Sequence, residues 1–199
     1  MANKARDLEV RLERTDQELR LLQRISRYLS TPRNLRQSLD SIVAHVVEFT
    51  SCDSCLVYLL DSKELLLCAA SGEDKENSLG KVRLALNEGL TGWVAREKRL
   101  LALSTEAYRD PRFKSFSELV EDTYEAFLSA PIIARGKVVG VINVQHRQPH
   151  NHTGDEMELL STVGEMIGCL VQVVHTRPED LKMASTIELA LATAPVRQA

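Results

Sequence analysis

The feature that most constrains this chain is the run AFLSAPIIARGKVVGVINVQH at residues 126–146. Two apolar, β-rich segments meet at Arg135-Gly136, and a glycine there supplies the positive φ that a tight hairpin turn demands. A two-residue loop predicts Ile132 opposite Val139, Ala130 opposite Val141 and Leu128 opposite Asn143. Phe127, Ser129, Pro131 and Ile133 then share the other face with Val138, Gly140, Ile142 and Val144. Both faces are largely apolar. A hairpin with one wet side alternates apolar and polar residues, so this pair belongs in the middle of a sheet covered on both faces.

The rest of the chain is long enough to supply those covers. With 199 residues, 44% of them hydrophobic, it can build one domain with a substantial core plus an extra helix or tail. The opening MANKARDLEV has no apolar run of the signal-peptide kind, and nothing later approaches the roughly 18 apolar residues of a membrane span. The expectation is a cytoplasmic protein with no membrane partner, whose Cys52, Cys55, Cys68 and Cys169 stay largely reduced. A formal net charge of -3 provides no basic field for a phosphate backbone, which disfavours direct nucleic-acid binding.

From Ala2 to Leu29 there is neither Gly nor Pro, and Leu8, Leu12, Leu19, Leu22 and Leu29 recur at alternating steps of four and three, with Thr15 and Ser26 in the missing seam positions. Dense Arg and Glu on the flanks complete a coiled-coil pattern. Such a helix is on the order of 40 Å long, more than one small domain covers, so it is expected to meet a second copy of itself. Thr31-Pro32 breaks it. Asn34 is placed to cap a further helix with Leu35, Leu39, Ile42, Val43, Val46 and Val47 on one face, a packing element for the sheet.

Residues 52–60 and 64–71 read as an antiparallel strand pair. The spacing of Cys52 and Cys55 carries metal or redox weight only beside a second pair or a helix start, and neither accompanies it, so these are read as buried, inert thiols. A short strand at 81–84 leads through Asn87-Glu88-Gly89 into a short helix that turns Leu90, Trp93 and Val94 inward. Its glycine-containing start is read as a simple turn rather than an anion site. Residues 104–125 are then the longest stretch without period, and loops of that length inside a domain are functional or disordered. Of the four Tyr and four Phe in the chain, Tyr108, Phe113, Phe116 and Tyr124 lie here. Rings in a loop need something to pack on, so this segment is expected to fold over the sheet as a lid with a pocket beneath it.

His146, His150 and His152 fall in HRQPHNHT, which reads as an exposed loop without a metal. Thr153 and Glu156 make a capping box that starts a helix bearing Leu159, Leu160, Val163, Ile167, Leu170, Val171 and Val174, with Gly164 and Gly168 permitting a close approach by another element. That face is wide enough for both the sheet and a partner helix. Pro178 ends the domain. Residues 179–194 have weak helical character and no DNA-binding, kinase or RNA-binding element.

The order EGLTGWVA, DPRFK, AFLSAPIIARGKVVGVINVQ and a closing helix resembles a GAF domain over residues 35–174. The run LGKVRLALNEGLTGWVA with DPRFK and APIIARGKVVGV looks especially like the GAF modules of the nitrogen-type phosphoenolpyruvate phosphotransferase and of bacterial transcription regulators, antiterminators and histidine kinases. The resemblance implies an α+β fold: a central antiparallel sheet of five or six strands, helices on one side and a long loop over the other. It also implies a small-molecule pocket under that loop and a homodimer through terminal helices. It divides the chain into a dimerisation or signalling helix (1–33), a GAF domain (34–175) and a weakly helical tail (176–199). The Asn-Lys, Phe, Asp-Glu signature of cyclic-nucleotide GAF domains is not met, because the one Asn-Lys is Asn3-Lys4. Cys-His, the attachment site in bilin-binding GAF domains, does not occur, and no cysteine lies at 104–127, where GAF-type methionine sulfoxide reductases use theirs.

Asn143 and Gln145 are polar positions on an apolar strand, and buried amides need partners. The ligand-binding candidates are therefore Trp93, Tyr108, Phe113, Phe116, Tyr124, Asn143 and Gln145. The reading is a non-catalytic sensory module for an unidentified small molecule, with cofactors unknown and an output protein supplied in trans. Its rivals are a dimerisation scaffold with a filled pocket and a thiol-dependent reductase.

Overall fold

In the computed structural model, residues 2–30, 34–71, 78–114 and 124–175 are described. Phe116, the helical turn expected at 117–122, the Thr31-Pro32 break and the tail from 176 onward lie outside the described residues. The elements are α1 (Ala2–Ser30), α2 (Leu35–Thr50), β1 (Ser54–Asp61), β2 (Glu64–Ala70), β3 (Arg83–Ala85), α3 (Gly89–Glu97), β4 (Leu101–Leu103), a 3-10 turn (Ala107–Arg109), β5 (Ala126–Ala134), β6 (Lys137–His146) and α4 (Gly154–His175). The six strands form one antiparallel sheet in the order β3-β2-β1-β6-β5-β4, an α+β architecture with the hairpin at its centre.

Local chemistry explains the boundaries. Asn34 Oδ1 accepts the Gln37 N–H at 2.7 Å to open α2, and a reciprocal pair opens α4: the Thr153 N–H donates to Glu156 Oε2 at 3.0 Å and the Glu156 N–H to Thr153 Oγ1 at 3.3 Å. At the hairpin tip Arg135 and Gly136 take φ of 49° and 73°, the two positive values of a type I′ turn, whose twist matches the flanking strands.

The register of the hairpin differs from the simple two-residue pairing. Ala134 faces Lys137 and Ile133 faces Val138, but Ile132 faces Gly140, so Val139 is the extra residue of a β-bulge. Below the bulge each partner is displaced by one: Pro131 faces Val141, Ala130 faces Ile142, Ser129 faces Asn143 and Leu128 faces Val144. The expected pairs Ile132–Val139, Ala130–Val141 and Leu128–Asn143 are thus not formed. Residues 138, 139, 141 and 142 are all Val or Ile, so hydrophobic pattern carries no mark of the slip. Gly140 does: a Cβ there would lie 2.2 Å from the Tyr58 carbonyl oxygen, so the bulge sits where β1 and β6 come too close for a side chain.

The sheet separates two apolar clusters. On one face Cys55, Val57, Leu59, Leu66, Cys68, Leu128, Ala130, Ile132, Ile142 and Val144 pack against α1, α2 and α4. On the other Leu56, Tyr58, Leu65, Leu67, Leu84, Phe127 and Val141 pack against α3 and the loop that follows β4. Helix α1 docks through Leu21 and Ile25, a stripe outside the Leu8–Leu12–Leu19 seam, while Leu8, Val10, Leu12 and Leu19 stay exposed. The glycines of α4 meet strand backbone: a Cβ on Gly164 would lie 3.0 Å from the Pro131 carbonyl oxygen and one on Gly168 only 2.2 Å from that of Ile133. Helix α4 therefore sits directly on the β5 main chain. Among the described residues no helix is long and apolar enough to cross a membrane.

Candidate functional site

The floor of the site is the α3 face of the central hairpin. The bulge places Ser129 directly across from Asn143, where the sequence had set them on opposite faces. Ser129 Oγ donates to Asn143 Oδ1 at 2.7 Å, and Asn143 Nδ2 donates to Thr91 Oγ1 of α3 at 2.8 Å. All three residues are buried, so this chain of hydrogen bonds satisfies polar groups of β5, β6 and α3 at once. Two positions on, Gln145 pairs with Phe127 in the sheet. Its Oε1 is buried and has no hydrogen-bond partner among the described residues.

The wall beside this floor is α3 and the DPRFK segment. Gly89 opens α3 with φ 65°, and a Cβ on Gly92 would lie 2.7 Å from the Ala85 carbonyl oxygen, so the helix starts pressed against the end of β3. Leu90 and Val94 are buried beneath it, whereas Trp93 lies half-buried at its edge. The Arg112 guanidinium covers the Trp93 ring at 4.6 Å from its centroid, a cation–π contact. Arg112 is itself held by Asp110, Nε to Oδ1 at 2.8 Å and Nη2 to Oδ2 at 2.7 Å, while its backbone N–H reaches Oδ1 at 2.9 Å. Those side-chain bonds hold the Asp110 carboxyl below its ordinary range against the opposing effect of partial burial. Lys114 pairs with Glu88 at 2.9 Å, tying the loop to the start of α3. That carboxylate also accepts the Ala85 N–H at 3.0 Å, which fixes the turn from β3 into α3.

Of the sequence candidates, the structure brings Trp93 and Phe113 into one cluster with Phe127 and Val141. Asn143 and Gln145 lie on the floor of the same face. Tyr108 is half-buried on the 3-10 turn under Arg109, and Tyr124 is half-buried at the entry to β5. Sequence reasoning missed two connected sets, Thr91 and Ser129 joined through Asn143, and Asp110 with Arg112 over Trp93. Their signals are compositional, a Thr in TGW, a Ser on an apolar strand and the Asp-Pro-Arg turn, and the contacts are non-local except Asp110–Arg112.

The thiols take ordinary structural places. Cys52, Cys55 and Cys68 are buried and Cys169 is exposed on α4. Burial pushes the Cys68 thiol up to about 12 and raises Cys52 and Cys55 as well, away from the thiolate form that nucleophilic chemistry needs. The histidine segment is a correction to the exposed-loop expectation: His146 ends β6 and is buried, and His152 is buried too, although Arg147, Gln148 and Asn151 are exposed.

A family model described as the GAF domain matches residues 34–171. The Nif-specific regulatory protein of Azospirillum lipoferum is 26% identical over 186 residues, covering 90% of this chain and 30% of that protein. The chain thus spans less than a third of the length of that curated relative. The crystal structure of the GAF domain from an Acinetobacter phosphoenolpyruvate-protein phosphotransferase superposes with a TM-score of 0.70 at 32% identity, covering 79% of this chain and 94% of that one. The free methionine-R-sulfoxide reductase of Neisseria meningitidis shares the fold alone, with a TM-score of 0.64 at 16% identity over 79% of this chain and 92% of the other.

Proposed function

The chain belongs to the GAF domain family, and from that premise we propose that it is a non-catalytic, cytoplasmic regulatory module that binds a small molecule between the sheet and the lid and signals through a homodimer of its terminal helices. The observation that carries this reading is Gln145 Oε1, a buried acceptor without a partner among the described residues, on β6 across from Phe127. Leaving such a group unmet costs about 1–3 kcal/mol, and a ligand donor removes that cost. Trp93, Tyr108, Phe113 and Tyr124 supply apolar walls, and Asn143 and Gln145 the polar contacts, in the proportion typical of small-molecule sites. Support for the dimer comes from Leu8, Val10, Leu12 and Leu19, which stand exposed along α1. A second copy covering them gives a parallel or antiparallel seam of the kind the heptad spacing describes.

The mechanism is a population shift. A ligand favouring the lid-closed arrangement changes how β5 and α4 sit, and α1 follows; an output protein in trans reads the change. The regulatory character of the Azospirillum relative accords with this, and the buried thiols oppose the reductase alternative.

The test is native mass spectrometry on gently purified protein, with Gln145→Leu alongside. A dimer carrying a discrete organic mass, lost in Gln145→Leu, supports the proposal. A bare dimer in both favours the scaffold reading, and replacing Leu12 and Leu19 by Lys is expected to convert the dimer to monomer in sedimentation; a dimer that persists removes α1 from the interface.

A further inference from the structure

We propose that His146, His150 and His152 form a binding site for one transition-metal ion of the zinc class, oriented by Glu156 and independent of the pocket under the lid. The three imidazoles come from the end of β6 and the loop before α4, and their ligand atoms lie within 4.8 Å of one another. His146 and His150 stack with centroids 4.1 Å apart, and His152 stands 5.8 Å from the first and 4.9 Å from the second. Two ligand nitrogens on a tetrahedral zinc ion are about 3.4 Å apart, given bonds of about 2.0–2.1 Å, so a modest ring rotation, chiefly of the half-exposed His150, completes the set. Imidazole nitrogens suit zinc, copper and nickel and not the hard cations.

Two further observations separate this cluster from ordinary core histidines. The ring of His152 is buried, hydrogen-bonds the Leu103 backbone, and leaves Nε2 with no partner among the described residues. The nitrogen that is bonded is therefore Nδ1, which leaves the lone pair of Nε2 available to a metal ion. Second, Glu156 Oε2 lies 3.1 Å from His150 Nε2 while also accepting the Thr153 N–H, the carboxylate–histidine pairing that fixes ring orientation in metal centres.

The position gives the ion something to do. The Glu125 N–H donates to the His146 carbonyl at 2.9 Å and the His150 N–H to that of Ser104 at 3.0 Å, so both ends of the lid hang from these histidines. Arg14 of α1 reaches Glu156 Oε1 at 3.1 Å. An ion here ties the lid ends, the start of α4 and α1 into one unit.

The test uses the full chain stripped with a chelator and titrated with Zn²⁺ by calorimetry and with Co²⁺ by visible absorption. One equivalent is expected to bind, with the intense visible bands of low-coordinate Co²⁺ and a rise in melting temperature. His146→Ala and His152→Ala should abolish binding, and Glu156→Gln, which preserves the capping box, should weaken it by about 10–100-fold. His150→Ala, at a half-exposed position, guards against misfolding of the buried variants and should also lose at least about tenfold in affinity. His45→Ala, on the Tyr28 contact of α2, should leave it unchanged. Binding that survives all three alanine replacements, a Co²⁺ spectrum dominated by thiolate charge transfer, or no stoichiometric uptake overturns the proposal.

Discussion

Replacing Gly168 by Ala tests the seat of α4 on the sheet, the contact through which the two faces of the domain are joined. The new Cβ would lie 2.2 Å from the Ile133 carbonyl oxygen and 2.8 Å from its carbonyl carbon, both main-chain atoms that have no rotamer through which to yield. Ordinary contact lies near 3.5 Å, so α4 and β5 must part locally by about 1 Å. Overpacking costs about 1–3 kcal/mol, and the upper end applies where the obstacle is backbone. Alanine returns about 1 kcal/mol of helix propensity. The net is a loss of about 2 kcal/mol, or about 4–8 °C in Tm for a chain of this size. Two companion variants calibrate it. Gly164→Ala meets the Pro131 oxygen at 3.0 Å, so a small shift and the propensity gain roughly cancel. Gly154→Ala meets nothing within 4 Å and should be neutral or slightly stabilising. Urea denaturation at one fixed protein concentration ranks the three. A Gly168→Ala protein as stable as Gly164→Ala would refute the seating of α4 on the β5 main chain.

Other perturbations probe the site. Asn143→Ala strands Ser129 Oγ and Thr91 Oγ1 in buried surroundings, and at about 1–3 kcal/mol for each unsatisfied group the expected loss is about 2–6 kcal/mol in chemical denaturation. Making Ser129→Ala, Asn143→Leu and Thr91→Val together should recover part of it, whereas a single Asn143→Ala within about 0.5 kcal/mol of the parent would show that the chain of bonds is not formed. For Asp110 the folded pKa is depressed, so its contribution is present above the unfolded value of about 3.9 and is lost as pH falls through the lower folded value. Trp93 is the one tryptophan and lies under Arg112, so its emission should change over that acid range and not at neutral pH. In Asp110→Asn the change should already be present at pH 7; an unaltered acid titration in that variant would separate Asp110 from the Arg112–Trp93 stack.

How far the sequence reached depended on whether the determining interaction was local. The Asn34 cap and the Thr153–Glu156 box are settled within three residues, and both are legible. The hairpin is equally visible, because Arg135-Gly136 marks its turn and its length marks its centrality. Its register is not, since the bulge at Val139 answers to the approach of Tyr58 on a different strand. The error propagates to the site: it set Ser129 apart from Asn143, and so hid a hydrogen-bonded pair. Strand β4 is three residues long and carries no period of its own. For α1, spacing found the exposed seam but not Leu21 and Ile25, whose burial is decided by where α2 and α4 lie. The histidines show the converse failure: Pro149 and Asn151 do mark a loop, but a loop folded back on the sheet end buries His146 and His152.

Strand β5 is the element on which the proposed mechanism turns. One of its faces presents Phe127 and Ser129 to the site, and the other presents Leu128, Ala130 and Ile132 to the helices. Its entry follows the lid, and its far half carries α4 on bare carbonyls at Pro131 and Ile133. A side chain at such a contact would change rotamer and absorb a small displacement. Backbone against glycine has no such freedom, so a shift of β5 reaches α4 as a rigid-body movement. From α4 the same movement meets α1 through the Arg14–Glu156 ion pair and the buried Leu21 and Ile25. In the proposed mechanism the two glycines have a role distinct from a helix-pairing motif: they remove the compliant layer that would otherwise insulate one face of the sheet from the terminal helices.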